Sequence, residues 1–541
     1  MVNPIRFGGM ASGLDTESLV KQLVSAEKTR VDKFTQQKIW KQWQQTAYNE
    51  TNKTMANFIL DTRKNLGLTR TTATGTLVSG SINNVDWVKK ASSSSTAFDV
   101  TASANAPSGI STIQVVKLAK GANVSSQGDV TATTAAELLG AEKFADENSI
   151  VNITINGEEI GLKSTDTMSD IASKIRTATG LNANYDSGAK RFFMSTKTTG
   201  SDANITFAND ANTQAFMGGL DFSTADLSIS GNNSKIKYND TDVIEYQSNN
   251  ISINGLNLTL KAETTVGETV SVDTDVDGAY NKIKEFVDEY NKLIDEFNSK
   301  LSEKKYRDFQ PLTDEQKEAM SETDIKLWEE KAKSGLLKND ETMTRMMQTI
   351  RQDIYQEVDG FGSIYELGIT TGSWRDNGKL TIDETKLKDA LRNDSEKVLN
   401  TLFKTSDTPE VTISKNDTPE QRAEKQIQID KRKAESGAFI RIFDGLTSGI
   451  KDIVDKSGPG SEASLLRSVK SNILIDYVTA GSRSLIDKDV SEIDKRISRE
   501  TERLASLEER YWKQFTALEK AMSQMNSQSS WLSQQFGGGQ Q

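Results

Sequence analysis

The chain contains neither cysteine nor histidine. Without cysteine there are no disulfides and no thiolate metal sites. Without histidine, the usual general base, the commonest metal ligand and the side chain that titrates near neutral pH are all missing. Proline is also scarce. Only six occur, and none lies between Pro107 and Pro311, so that long interval is free to pair as strands. No apolar run approaches the roughly 18 residues of a membrane-spanning helix, so membrane insertion is not expected. The net charge of −11 argues against nucleic acid as the main partner. Met1 to Ala11 lacks a basic leader and an apolar core, so no cleaved secretion signal is visible, which alone would suggest a cytoplasmic protein. Carboxylates are plentiful, but no pair stands out and nothing joins a nucleophile to a base. The expectation is a protein that is not an enzyme, with no catalytic residues, metal or cofactor.

What is present is periodicity. From Leu485 to Phe536 the apolar residues are Ile486, Val490, Ile493, Ile497, Leu504, Leu507, Tyr511, Phe515, Leu518, Met522, Met525 and Leu532. Their steps alternate between four and three, Glu500 and Ser529 fill two seam positions, and Tyr511 to Phe515 is a stutter. This is a heptad seam on a helix of roughly 78 Å. So narrow a stripe needs partner helices, within the chain or between copies; the plainer alternative is a long helix packed inside one globular domain. A second long helix is expected from Thr16 to about Leu66, capped by Asp15, with Val20, Val24, Val31 and Phe34 on its seam. Its centre, Gln36 to Gln45, is polar apart from Trp40 and Trp43, and Tyr48, Met55 and Ile59 resume the stripe. At roughly 75 Å it matches the other rod, so the two ends are expected to meet and the middle to be an excursion. Their polar seam positions predict marginal stability in isolation, with proteolytic loss before about Leu66 and after about Leu485.

Between Thr71 and Val276 charges thin out and Ser, Thr, Asn and β-branched residues take over. Asn152-Ile-Thr-Ile-Asn-Gly157 and Asn250-Ile-Ser-Ile-Asn-Gly255 each alternate isoleucine with polar residues and end in Asn-Gly, predicting two hairpins. They read either as two related domains or as one favourable turn used twice. One short helix is expected from Met168 to Gly180, then a hairpin around Asp186-Ser187-Gly188. Asp273-Thr-Asp-Val-Asp-Gly278 resembles half of a calcium loop, but Lys284 stands where the bidentate acid belongs. It reads as a helix start with Asp277 as cap. Further helices are expected at Ala279–Leu301, Asp314–Ser334, Asp340–Glu357, Glu384–Phe403 and Gly437–Lys456, with a short strand at Gly378–Asp383 and an exposed linker or insertion at Thr405–Glu424.

The opening Gly8-Gly9-Met10-Ala11-Ser12-Gly13-Leu14-Asp15 fits neither phosphate-binding fingerprint. It resembles the opening signature of the flagellar filament cap, or hook-associated protein 2, family. Val116 to Lys120, the hairpin–helix–hairpin of Ile153 to Ile205, Phe286 to Asn291, Leu336 to Asp340, Leu367 to Ile369, Gly378 to Leu391 and Leu465 to Phe536 resemble successive parts of that family. Tyr306–Lys333 and Thr405–Glu424 depart from its common core.

The resemblance implies a multidomain α+β chain with paired, coiled-coil-like terminal helices, a helical core domain and one or two mainly β domains inserted between them. The expected division is 1–45 with 485–541, 46–75 with 276–484, 76–110 with 208–275, and 111–207. It implies export through the flagellar type III pathway without a cleaved signal, a ring of identical subunits at the filament tip, and help to incoming flagellin as it folds and inserts. The implied partners are flagellin, other copies of the chain, hook–filament junction proteins during assembly, and a flagellar export chaperone. The seam residues from Val20 to Phe34 and from Ile486 to Met525 are the expected oligomer and filament contacts. An adhesin using exposed β domains is the alternative; a flagellin or junction protein fits the motif order less well.

Overall fold

The computed structural model describes residues 15–71, 77–222, 226–372, 377–411, 413, 417–470, 473–474, 477–478 and 481–537. The chain forms two compact units: Met1–Ser79, Ile283–Leu387 and Lys397–Gln541 make one, Gly80–Lys282 and Lys388–Glu396 the other.

Helix α1 is Thr16–Asn65, within a residue of the expected span. The Asp15 carboxylate accepts from the Ser18 amide at 3.0 Å, satisfying one of the helix's free N–H groups, and Arg63 and Lys64 face the negative end of the dipole. Up to Ala47 the helix is mostly half-buried or exposed. From Tyr48 to Thr62 it supplies core residues, with Tyr48, Met55, Ala56 and Ile59 fully enclosed. The expected cleavage limit near Leu66 is therefore too far along the chain, because this last third is built into a core. Strands β1 (Thr69–Thr71) and β2 (Leu77–Ser79) then pair antiparallel.

The second unit begins with β3 (Lys89–Ser93), β4 (Phe98–Ala102), β5 (Gly109–Lys117) and β6 (Asn123–Ser125). Next come α2 (Ala135–Leu139), β7 (Ile150–Ile155), β8 (Glu158–Lys163), α3 (Met168–Thr179), β9 (Asn182–Asp186), β10 (Arg191–Ser195), β11 (Asn204–Thr206) and α4 (Ala211–Gly219). It closes with β12 (Ser228–Ser230), β13 (Ser234–Tyr238), β14 (Ile244–Tyr246), β15 (Asn250–Ile253), β16 (Leu256–Leu260) and β17 (Glu268–Thr274). Both Asn-Gly hairpins form. Asn156 and Gly157 (φ 54° and 80°) join β7 to β8, and Asn254 and Gly255 (φ 48° and 78°) join β15 to β16. The third hairpin, β9–β10, and helix α3, capped by a Thr167–Asp170 box and stopped by Gly180, also stand where expected. Helices α2 and α4 have no counterpart among the expected elements. One is a single turn, and the other contains two glycines but starts at Asp210, whose carboxylate accepts from the Asn212 and Thr213 amides.

Among the described residues this unit holds two hydrophobic cores. The sheet β14-β13-β5-β17-β3 and the sheet β15-β16-β4 share one, built from Ile113, Val115, Ile236, Leu258 and Val270 among others. The hairpin β7–β8, the sheet β6-β10-β9 and helices α2 to α4 enclose the other, around Ile153, Ile171, Phe192 and Phe216. The two Asn-Gly hairpins thus sit in different cores.

Helix α5 (Val276–Ser302) follows β17 directly. The Asp273–Gly278 segment is a helix start, but the cap is Asp275, not Asp277. The Asp275 carboxylate accepts from the Gly278 amide at 2.8 Å, Asp273 lies in β17 opposite Lys90, and Asp277 pairs with Lys388 at 2.8 Å. The remaining elements are α6 (Asp314–Glu318), α7 (Glu322–Lys333), α8 (Glu341–Tyr355), β18 (Ile369–Thr371), β19 (Leu380–Ile382), α9 (Glu384–Asn393), α10 (Ser395–Phe403), α11 (Pro419–Glu435), α12 (Ala438–Ser457), α13 (Ala463–Val469) and α14 (Leu485–Gly537). Two expected single helices are therefore broken. Ser321 starts a new helix by capping the Asp324 amide, and the chain breaks again at Asp394. Within the expected linker Thr405–Glu424, of which 412 and 414–416 lie outside the described residues, most of the chain is exposed as expected, but Pro419 to Glu424 belong to a helix. Thr418 and Gln421 form a capping box and Pro419 occupies the first turn of α11, where a missing N–H costs nothing. Ser406 is buried, with its hydroxyl and that of Thr408 donating to Glu435.

The helical unit is centred on Phe286, whose ring stacks on Phe439 at 4.1 Å and meets Phe443, Phe58 and Phe403 at 5.7, 5.9 and 6.3 Å. Helix α12 comes close to α8 because Gly445 and Gly449 carry no side chain; a Cβ at either would collide with Ile350 or Met346. Arg441 of α12 is only 2% exposed. Its guanidinium donates to the carbonyls of Asp353, Gln356 and Glu357 at the end of α8 and to those of Lys433 and Ala434 at the end of α11. One cation thus satisfies two helix C-termini. Asp340 caps α8 while accepting from Tyr48 of α1 and, at 2.8 Å, from Lys456 of α12. Burial opposes the Asp340 charge, yet these donors hold its carboxyl below the usual range; burial, then the hydrogen bond to Asp340, pushes the Tyr48 phenol up.

Candidate functional site

The terminal helices do pair. Lys41 of α1 meets Asp489 of α14 at 2.8 Å, Lys38 meets Asp494 at 2.7 Å, and Glu27 meets Arg503 at 2.9 Å. As residue numbers fall along α1 they rise along α14, so the pair is antiparallel. At its inner end, the Gln45 amide donates to Asp487 at 2.9 Å and to the Ser457 carbonyl at 2.7 Å. Ser484 caps α14 reciprocally: the Asp487 amide donates to its hydroxyl, and both its amide and its hydroxyl donate to the Asp487 carboxylate. Burial would raise the Asp487 carboxyl, but Ser484 and Gln45 outweigh it and the group is held low. The Arg503 hydrogen bond and charge lower the Glu27 carboxyl, and Glu27 in turn raises Arg503. These ion pairs are exposed and each contributes little to stability; they fix register and direction.

The apolar seam lies between them, graded along its length. Val20 (1% exposed), Ile486 (3%) and Leu507 (8%) are buried. Val24, Val31, Phe34, Val490, Ile493, Ile497, Leu504, Tyr511, Phe515 and Met522 are half-buried. Leu518 and Met525 are exposed, as are Trp531 and Leu532, Met525 at 64%. The register explains the gradient: equal rise on both helices puts Thr16 level with about residue 514, and α14 runs on past it. Of the opening signature, Asp15 is the α1 cap, and Gly8, Gly9, Met10, Ala11, Ser12, Gly13 and Leu14 lie outside the described residues.

Reading the sequence missed the ion-pair ladder and the Ser484 cap. The signal for the first was present, since Lys38 and Lys41 are one turn apart and so share a face. Among the described residues, no group of three or more acidic side chains is placed to hold a metal ion, and no helix is long and apolar enough to cross a membrane.

Residues 12–122 match the family model described as flagellar hook-associated protein 2 N-terminus, and residues 231–527 match the one described as flagellar hook-associated protein 2 C-terminus. The chain is 31% identical to the flagellar hook-associated protein 2 of Halalkalibacterium halodurans, over 98% of this chain and all of that one. It is 29% identical to that of Thermotoga maritima, over 71% of this chain and 55% of the other. It is 25% identical to that of Escherichia coli K12, over 98% and 97%. Among solved structures, the D1-D2-D3 domains of the flagellar cap protein FliD from Escherichia coli align with TM-score 0.46 and 20% identity, over 81% of this chain and 99% of that one.

Proposed function

The chain belongs to the flagellar hook-associated protein 2 family, and on that premise we propose that it caps the distal end of the bacterial flagellar filament and promotes insertion and folding of exported flagellin there. The observation that carries this reading is kinship over nearly the whole length, joined to an antiparallel pair of terminal helices in which, among the described residues, the α14 seam runs on past the start of α1. Leu518, Met522, Met525 and Leu532 continue the α14 stripe past the start of α1. Burying a leucine-sized side chain contributes roughly 1.5–3 kcal/mol, so four such residues favour association by several kcal/mol. Their partners are other copies of the chain in a ring, or the filament beneath it; the inner seam from Val20 to Phe34 and from Ile486 to Phe515 sets the helix pair that presents them.

The division of labour follows the chain. The termini, 1–45 with 485–541, form the contact element, and 46–75 with 276–484 the body that holds it. For the β region, strand β5 runs through residue 111 and α4 packs in the second core, which supports a different boundary from the expected one. We place the crossing between the two β modules at Lys120 and Asn232, whose backbones exchange hydrogen bonds at 2.9 Å. Export through the flagellar type III pathway, a dedicated export chaperone and contact with hook–filament junction proteins are extensions supported by kinship alone. The adhesin alternative finds no support in the comparisons, and the family is a structural one, so no catalytic role is assigned.

Antibody raised against residues 80–282 should label one end of each filament, the distal tip, and nothing along the shaft. Label along the length, or at the cell-proximal end only, contradicts the cap.

A further inference from the structure

Residues 303–338 make an excursion between α5 and α8 that closes on itself at its neck. The Asn339 amide donates to the Leu301 carbonyl at 3.0 Å, the Gly335 amide to the Glu303 carboxylate at 2.8 Å, and the Ser334 hydroxyl to the Lys304 carbonyl at 2.5 Å. The excursion has an aromatic cluster of its own: Phe309 packs against Trp328 at 4.7 Å and Tyr306 at 6.2 Å, and the Trp328 indole donates to the Gln310 carbonyl at 2.8 Å. From this base it reaches α1 in a row. The Lys305 ammonium lies 4.4 Å over the Trp40 ring and the Lys333 ammonium 4.8 Å over the Trp43 ring. The Gln44 amide donates to the Leu336 carbonyl at 3.2 Å, and Glu315 pairs with Lys28.

We propose that this excursion is a strap that holds the first half of α1 to the helical body in the single chain, so that the terminal helix pair is set before any assembly. The strap accounts for the two tryptophans in the otherwise polar stretch Gln36 to Gln45. They lie one turn apart on one face of the helix, and each meets a cation of the excursion there. The contacts from Lys28 to Gln44 span about 24 Å of helix, the part that the buried stretch from Tyr48 onward does not reach. The proposal concerns the chain before assembly and does not depend on the cap reading.

Hydrogen exchange on the dilute, monomeric full-length chain tests it. Lys305→Ala with Lys333→Ala should speed exchange of amides 28–45 about tenfold, given the size of exposed cation–π contacts, while 341–355 and 438–457 keep wild-type rates. Arginine at both positions should restore protection, because a guanidinium stacks on indole as well. Unchanged exchange over 28–45 in the alanine variant overturns the strap. So does a wild-type chain already unprotected there, an arginine variant that stays unprotected, or an effect spread equally over the whole body.

Discussion

A chain carrying Leu504→Asp and Leu507→Asp is expected to be exported at normal levels and yet to leave cells with short filaments or none, shedding flagellin into the medium. Leu507 is one of the best-buried residues of the α14 seam, and Leu504 lies one turn before it, next to the Arg503–Glu27 ion pair. Two carboxylates in that stripe lose the apolar burial, roughly 1.5–3 kcal/mol at Leu507 and less at the half-buried Leu504, and add two charges that must be desolvated for the helices to close. The α1–α14 pair then separates over its outer half, and the exposed Leu518 to Leu532 stripe is no longer presented. The body stays folded, because its core is the Phe286 cluster and the close contact of α12 with α8, neither of which includes Leu504 or Leu507. Circular dichroism should show only a modest loss of helix. Normal filaments in this variant, with the protein secreted at wild-type levels, contradict the assignment of capping to the seam.

Arg441→Ala is expected to take about 3–5 kcal/mol off the unfolding free energy of the helical unit. Burial lowers the Arg441 pKa, so holding the cation already costs something, and the five carbonyls offset that cost. Alanine removes the guanidinium donor from all five, leaving the Lys433 and Ala434 carbonyls only the Ser436 and Asp359 amides, and opens the space the side chain filled. Arg441→Met should restore part of the volume but none of the donors and recover only a fraction of the loss. The measurement is urea unfolding followed at 222 nm, where the helical unit dominates. A loss below about 1 kcal/mol for alanine means that water or the neighbouring Lys433 takes over the carbonyls, and that Arg441 is not the pin.

What the sequence made legible was periodic or chemically singular. The long spans of α1 and α14 followed from seams sustained over many turns, and the hairpins from Asn-Gly, where the two residues must take positive φ. What it hid was decided by contacts across the chain. Nothing local marks Arg441 as the partner of two helix ends, since those ends lie 7 to 88 residues away. The breaks at Ser321 and Asp394 fall inside stretches whose apolar spacing continues across them. Pro419 read as a linker residue because proline breaks helices from within, whereas here it opens one behind Thr418. Asp275 and Asp277 both suit a cap by composition; the backbone carried Asp275 to the Gly278 amide and left Asp277 to Lys388. At the candidate site the two long helices were legible, but the direction and register of their pairing were not. Those depend on Lys38, Lys41 and Glu27 finding partners more than 400 residues on.

The most direct measurement is the distribution of flagellin in cells from which the whole coding region has been deleted in frame. Flagellin should be made and exported at wild-type rates but recovered from the medium as unpolymerised subunits, with filaments absent or short, and expression of the intact chain should return it to filaments. Filaments of normal length and number in the deletion strain contradict the cap function itself.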